Sequence, residues 1–275
     1  MDALSSLRLQ LEWGADEALE ELPVVRSRVA ASGNAPAGAP SSPAPRESAH
    51  SSPRPAPRPP PVAAAARTAH RSAGADTDPA ASAAAAADLD TLRTAIAGFA
   101  GCPLRDTATR TVLPAGNAAG GVLLLGEVPD ADEDRSGIAF SGKPGELLDR
   151  MLRSIGLERD GVLLAPLIPW RPPGGRPPSA RELALCRPFL DRLLVLAAPR
   201  FVLLLGSRPA RTVLNTLPRP GAGWQKLPAE TGLSDPSRAL AMRHPATLLG
   251  HPPGRKEAWN DLLRLRIALD TLTGT

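Results

Sequence analysis

Apolar residues in the second half of the chain gather in short unbroken runs. They fall at Val122–Leu125, Val162–Ile168, Phe201–Leu205 and, more weakly, Ala239–Met242. Between the runs, apolar positions recur at helical spacing over Pro144–Ile155, Ala180–Leu196 and Arg208–Leu214, and Lys256–Leu272 closes the chain the same way. Ahead of them, "DLDTLRTAIAGFAG" reads as a helix capped by Asp88. Unbroken apolar strands are those buried on both faces, and their alternation with amphipathic helices describes a parallel sheet covered on each side. The fold class this predicts is α/β, a three-layer α/β/α arrangement around a four-stranded, mostly parallel sheet.

The first part of the chain follows other rules. Leu4, Leu7, Leu11, Ala15, Ala18 and Leu19 recur at helical spacing, so residues 1–22 read as an amphipathic helix that docks on the core or binds a partner. Residues 23–85 are dominated by Ala, Pro, Ser and Arg and bury too little apolar surface to offset their ordering entropy. They are expected to be a disordered linker, extended around "SSPRPAPRPPPV", and the globular domain is expected over 86–275. Between Arg26 and Ala75 there are seven Arg against one acid, Glu47, which contributes to the net charge of +4. Two cysteines, Cys102 and Cys186, do not make a disulfide framework. No apolar stretch of membrane-spanning length and no signal-peptide pattern occur, so a cytoplasmic protein without membrane contact is the expectation, and with nothing to suggest an obligate dimer it is expected to be a monomer.

In such sheets ligands sit at the carboxyl ends of the strands. The first run ends in Gly126-Glu127, with Pro129 stopping the strand and Asp130, Asp132, Glu133 and Asp134 following. Phe140 then stands alone among small residues in a chain that is only 3% aromatic. The third run ends in Gly206-Ser207 before a helix, a turn whose backbone N–H groups suit a phosphate. The fourth ends in Arg243-His244-Pro245. Singly, an acidic turn is a solvated loop and a lone histidine is structural. Together they put an acid and an imidazole at one edge of the sheet.

The segments "GEVPDADEDRSGIAFSGKPGELLDRMLRSIGL", "PWRPPGGRPPSARELALCRPFL" and "HPATLLGHPPGRKEAWNDLL", in that order, resemble the family-four uracil-DNA glycosylases. The resemblance runs from about Gly98 to the C-terminus and implies hydrolysis of the N-glycosidic bond of uracil, or a related damaged base, in DNA. It implies Glu127 as the catalytic carboxylate that serves water or the sugar cation, and His244 as the donor to the departing base. Phe140 would stack on the extruded ring, with Pro129 and Pro166 at base-pocket positions. Ser207, Arg208, Arg243, Arg255 and Lys256 would contact DNA, and Leu248 or Leu249 would fill the gap left in the duplex.

Three positions depart from the family pattern. Ala165-Pro166 stand where a Thr-Asn pair reads the uracil edge, and proline offers neither a side-chain donor nor an N–H. Asp130 replaces the last glycine of the first motif. The family's four-iron four-sulfur cluster is held by four cysteines, whose places are taken here by Phe99, Cys102, Trp170 and Cys186. From two thiols the sequence leads to the expectation of no cofactor. A catalytically weakened paralogue that binds DNA is the rival reading.

Overall fold

The computed structural model describes residues 78–273 apart from 220, 232 and 234–236. The helix expected over 1–22 and the linker as far as residue 77 lie outside the described residues. The fold begins with α1, Pro79–Ala84, capped by Asp78 with proline at its first turn. This helix falls within the stretch read as linker. Its Ala83 and the following Ala86 are buried in the core, where small side chains let it lie close against a neighbouring helix.

The order then runs α2 (Leu89–Gly98), β1 (Ala115–Gly116), β2 (Val122–Gly126), α3 (Ala131–Ser136), α4 (Gly142–Ser154) and β3 (Leu163–Pro166). It continues through α5 (Ala180–Ala197), β4 (Phe201–Leu205), α6 (Ser207–Leu214), β5 (Trp224–Lys226), β6 (Arg238–Met242), α7 (Pro245–Gly250) and α8 (Arg255–Thr273). Asp88 caps α2 through a reciprocal capping box with Thr91. The sheet has six strands in the order β1-β3-β2-β4-β6-β5. The middle four, β3, β2, β4 and β6, are parallel. The two edge strands are antiparallel additions of two and three residues.

Alternation along the strands divides the core into two layers, because successive side chains point to opposite faces. Leu123, Leu125, Leu163, Ala165, Val202 and Leu204 join the side chains of α1, α2 and α5. Val122, Leu124, Leu164, Leu203, Leu205 and Met242 join those of α4 and α8 on the other face. With both faces covered, polar chemistry is confined to the strand ends. Gly126 pairs with Pro166, and Leu205 with Met242, so β2, β3, β4 and β6 finish at one edge.

Candidate active site

Glu127 follows the last residue of β2 and reaches across to the start of α6. Its Oε1 accepts the Ser207 N–H at 3.1 Å and, more weakly, the Arg208 N–H at 3.5 Å. Its Oε2 accepts from Arg208 Nη1 at 2.7 Å. The turn before α6 makes this possible. Gly206 has φ +113, and a Cβ there would collide with Glu127 Oε1. The backbone donors that the sequence offered to a phosphate are therefore engaged by a carboxylate of the protein itself, a favourable charge for a helix N-terminus.

His244 follows β6 and caps α7. Its Nδ1 accepts the Ala246 N–H at 3.2 Å. An acceptor Nδ1 in a neutral ring places the hydrogen on Nε2, so the ring presents Nε2–H as its donor. Burial holds the His244 pKa below its ordinary 6.5, against the opposing pull of the Glu127 and Asp130 charges. Glu127 and His244 line one cavity of about 270 Å³ together with Ser207, Met242, Arg243 and Asp261.

Phe140 is 2% exposed. Its ring stacks on the His244 ring with centroids 5.8 Å apart and planes 22° from parallel. That separation is too small for a base to enter between them, which needs about 7 Å, twice the stacking rise of nucleic acid. Nor is Phe140 among the residues lining the cavity. The ring backs the imidazole instead of forming the open wall expected from the resemblance. Its other neighbour is Gly126, where a Cβ would lie 2.6 Å from Phe140 Cζ.

The backbone at Phe140 adopts φ +54, an uncommon conformation for a bulky residue. Three neighbours hold it there. Glu133 Oε1 accepts the Phe140 N–H at 2.6 Å, and Glu133 Oε2 accepts the Asp130 N–H at 2.8 Å. Arg159 donates to the Ala139 and Phe140 carbonyls, both at 2.9 Å. Gly145 has no side chain to strike the Phe140 carbonyl. Desolvation raises the pKa of Glu133, opposed by the two N–H groups it accepts. The sequence hides this role, since Glu133 reads there as one acid among several. Asp130 caps α3, its Oδ1 accepting from Asp132 N and Glu133 N.

The remaining sequence candidates are placed as follows. Pro129 is buried beside Glu127, and Pro166 lies at the end of β3 next to Gly126, on a crevice with Ile96, Val112 and Cys186 instead of on the Glu127–His244 cavity. Arg243 pairs with Glu257 through Nε and Nη2 at 3.0 and 2.9 Å. Arg255 Nε donates to the Leu248 carbonyl at 3.3 Å, and Lys256 is exposed on the first turn of α8. Leu248 requires a correction. It is 0% exposed and packs in the core layer under α7 and α8, whereas Leu249 is 39% exposed. Helical geometry can turn only one of two adjacent leucines outward.

Such a parallel sheet, with a carboxylate and a histidine converging at its carboxyl edge, is accompanied by a match over residues 113–263 to the model of the uracil DNA glycosylase superfamily. The chain belongs to that superfamily. Among its relatives, the type-4 uracil-DNA glycosylase of Archaeoglobus fulgidus is 30% identical over 181 residues, 64% of this chain and 91% of that protein. The type-4 uracil-DNA glycosylase of Pyrobaculum aerophilum is 30% identical over 182 residues, with the same coverage of each chain. That of Sulfurisphaera tokodaii is 27% identical over 186 residues, 65% of this chain and 83% of the relative.

These relatives overturn the expectation of a protein without a cofactor. They are type-4 enzymes, and that type is the iron–sulfur cluster class. Cys102 and Cys186 are buried side by side, and their contact lowers the pKa of Cys102 while the same contact and burial raise that of Cys186. Phe99 and Trp170 stack at 6.4 Å, and Phe99 meets Phe189 edge-on at 5.1 Å. Two thiols with two aromatic rings supply half of a four-thiolate ligand set, so these four residues alone do not fit the group.

Proposed function

We infer that this chain is a uracil-DNA glycosylase of base excision repair, hydrolysing the N-glycosidic bond of uracil in DNA. The observation that carries the reading is the meeting of Glu127 and His244, from the ends of β2 and β6, at one cavity. In the reaction the C1′–N1 bond of an extruded nucleotide breaks and its electron pair leaves with the base. Water adds to C1′ and releases a proton, and the uracil anion takes one up. Glu127 faces the cationic sugar and the incoming water, its carboxylate aimed by Ser207 N–H and Arg208. His244 donates Nε2–H to the uracil carbonyl oxygen on which charge develops. A ring already held neutral performs this without first losing a proton. Phe140 fixes the plane of the imidazole.

Pro166 supports a narrower conclusion about specificity. With no donor at that position, discrimination of uracil from other bases rests on the cavity and on His244, and is weaker than an Asn side chain would give. The silent-paralogue reading is not favoured by the relatives. The enzyme acts on DNA as a cytoplasmic monomer. No helix among the described residues is long and apolar enough to cross a membrane. The test is excision from uracil-containing single- and double-stranded oligonucleotides. Abasic product is expected, and a retained mobility shift without product would overturn the catalytic reading.

A further inference from the structure

A second hollow, of about 220 Å³, shares Glu127 with the cavity above and is walled also by Pro129, Asp130, Arg171, Gly175 and Arg208. The acids around it are committed elsewhere. Glu127 accepts from Ser207 N–H and Arg208, and Asp130 caps α3. Arg176, on the same rim, is spent on Glu182 through a two-pronged pair at 2.9 and 2.6 Å. Arg171 differs. Its Nε is buried and has no hydrogen-bond partner among the described residues. Arg171 as a whole is only half-buried, so one N–H is desolvated without an acceptor while the rest of the fork stays open to an acceptor that arrives.

The loop presents Arg171 rigidly. Trp170, just before it, is fully buried and donates Nε1–H to Thr111 Oγ1 at 3.1 Å. Arg176 anchors the far side through Glu182, beside the capping box of α5. Between them Pro172 and Pro173 stiffen the chain, and Gly174 and Gly175 take φ +66 and +70 to turn it back. A Cβ on Gly175 would come 3.4 Å from Arg171 Nη2, so glycine keeps the space beside the guanidinium open. A planar fork of donors in a preorganised hollow matches the oxygens of a phosphate.

We propose that this hollow seats a phosphodiester of the DNA strand carrying the target nucleotide, with Arg171 as the residue that grips it. The proposal rests on the glycosylase reading, because sharing Glu127 puts the seat next to the sugar whose bond is cut. It adds a binding residue that the sequence resemblance did not supply.

The test uses the full chain and a uracil-containing oligonucleotide duplex, comparing wild type with Arg171→Gln. Binding should weaken about 10-fold at fixed salt, the salt-dependence slope should fall by about 0.9, the value of one neutralised phosphate, and KM should rise in parallel. An unchanged slope and KM would overturn the seat. On the wild type, phenylglyoxal adducts mapped by mass spectrometry supply a second readout independent of how the variant folds. The oligonucleotide should protect Arg171, and an Arg171 equally reactive with and without it would contradict the proposal. Inorganic phosphate at matched ionic strength should protect poorly. Equal protection by phosphate at the same concentration would make this a free-anion site and overturn the assignment to DNA. Uracil excision by the wild type with an unchanged slope in Arg171→Gln sinks the seat alone. A lowered slope with no excision by the wild type sinks the glycosylase reading alone.

Discussion

The two sides of β2 end differently. Toward β4 and β6 the edge is polar and fully connected, with Glu127 bound to Ser207 and Arg208 and His244 bound to Ala246. Toward β3 the strand end itself is apolar. Pro166 ends the strand, and behind it Phe99, Trp170 and Phe189 pack around the two cysteines. The polar side carries the placed carboxylate and the neutral imidazole to which the proposed bond cleavage is assigned. The apolar side lacks the side-chain donor and acceptor that would read a base edge. The difference teaches that the proposed chemistry sits at the ends of β2 and β6 alone, so the end of β3 can change without disturbing Glu127 or His244.

The largest effects are expected on the polar side. Glu127→Gln should lower the excision rate about 100- to 1000-fold in single-turnover assays while leaving the affinity for DNA within a few-fold, since the amide keeps the shape and loses the charge. An excision rate near wild type would remove Glu127 from the chemistry. Gly206→Ala should act through the same carboxylate. Its Cβ would collide with Glu127 Oε1 at a backbone angle of φ +113, so both activity and melting temperature should fall, with strain of about 1–3 kcal/mol. An unaltered melting temperature would contradict that packing.

From the apolar side the expected change is a gain. Pro166→Asn puts a donor and an acceptor on the crevice at the end of β3 and should raise the preference for uracil over cytosine, whose donor and acceptor are reversed on that edge, by about 10-fold, read as a ratio of kcat/KM. No gain would mean that the base does not approach β3.

The smallest effect is with pH. Because burial lowers the His244 pKa below 6.5, the folded protein keeps a neutral ring where the unfolded chain already takes up a proton. Its contribution to stability is therefore fully present above pH 6.5 and is lost as pH falls through the folded value. Protonation would also remove the Nδ1 acceptor from Ala246 N–H. Excision should stay level from pH 8 to 6.5 and decline only below. A decline that begins above 6.5 would point to another group.

What the sequence revealed tracks what is local. The four parallel strands were legible because each is an unbroken apolar run, and their carboxyl ends pointed to Glu127 and His244. The edge strands β1 and β5, of two and three residues, carry no periodic signal and exist through pairing with a neighbour. Helix α1 did carry a signal, Asp78 followed by Pro79, which its alanine-rich surroundings masked. Pairings across the fold were out of reach, since nothing near Arg208 or Glu133 in the chain announces Glu127 or Phe140 as its partner. The same limit explains Arg171, whose distinction is an acceptor that it lacks.

The proposed chemistry needs His244 as a neutral donor beside Glu127, and His244→Ala measured by single-turnover excision of uracil is its sharpest test. We expect a rate about 100-fold or more below wild type, with binding to an abasic-site oligonucleotide kept within a few-fold. Excision at the wild-type rate by a folded His244→Ala protein would contradict the account.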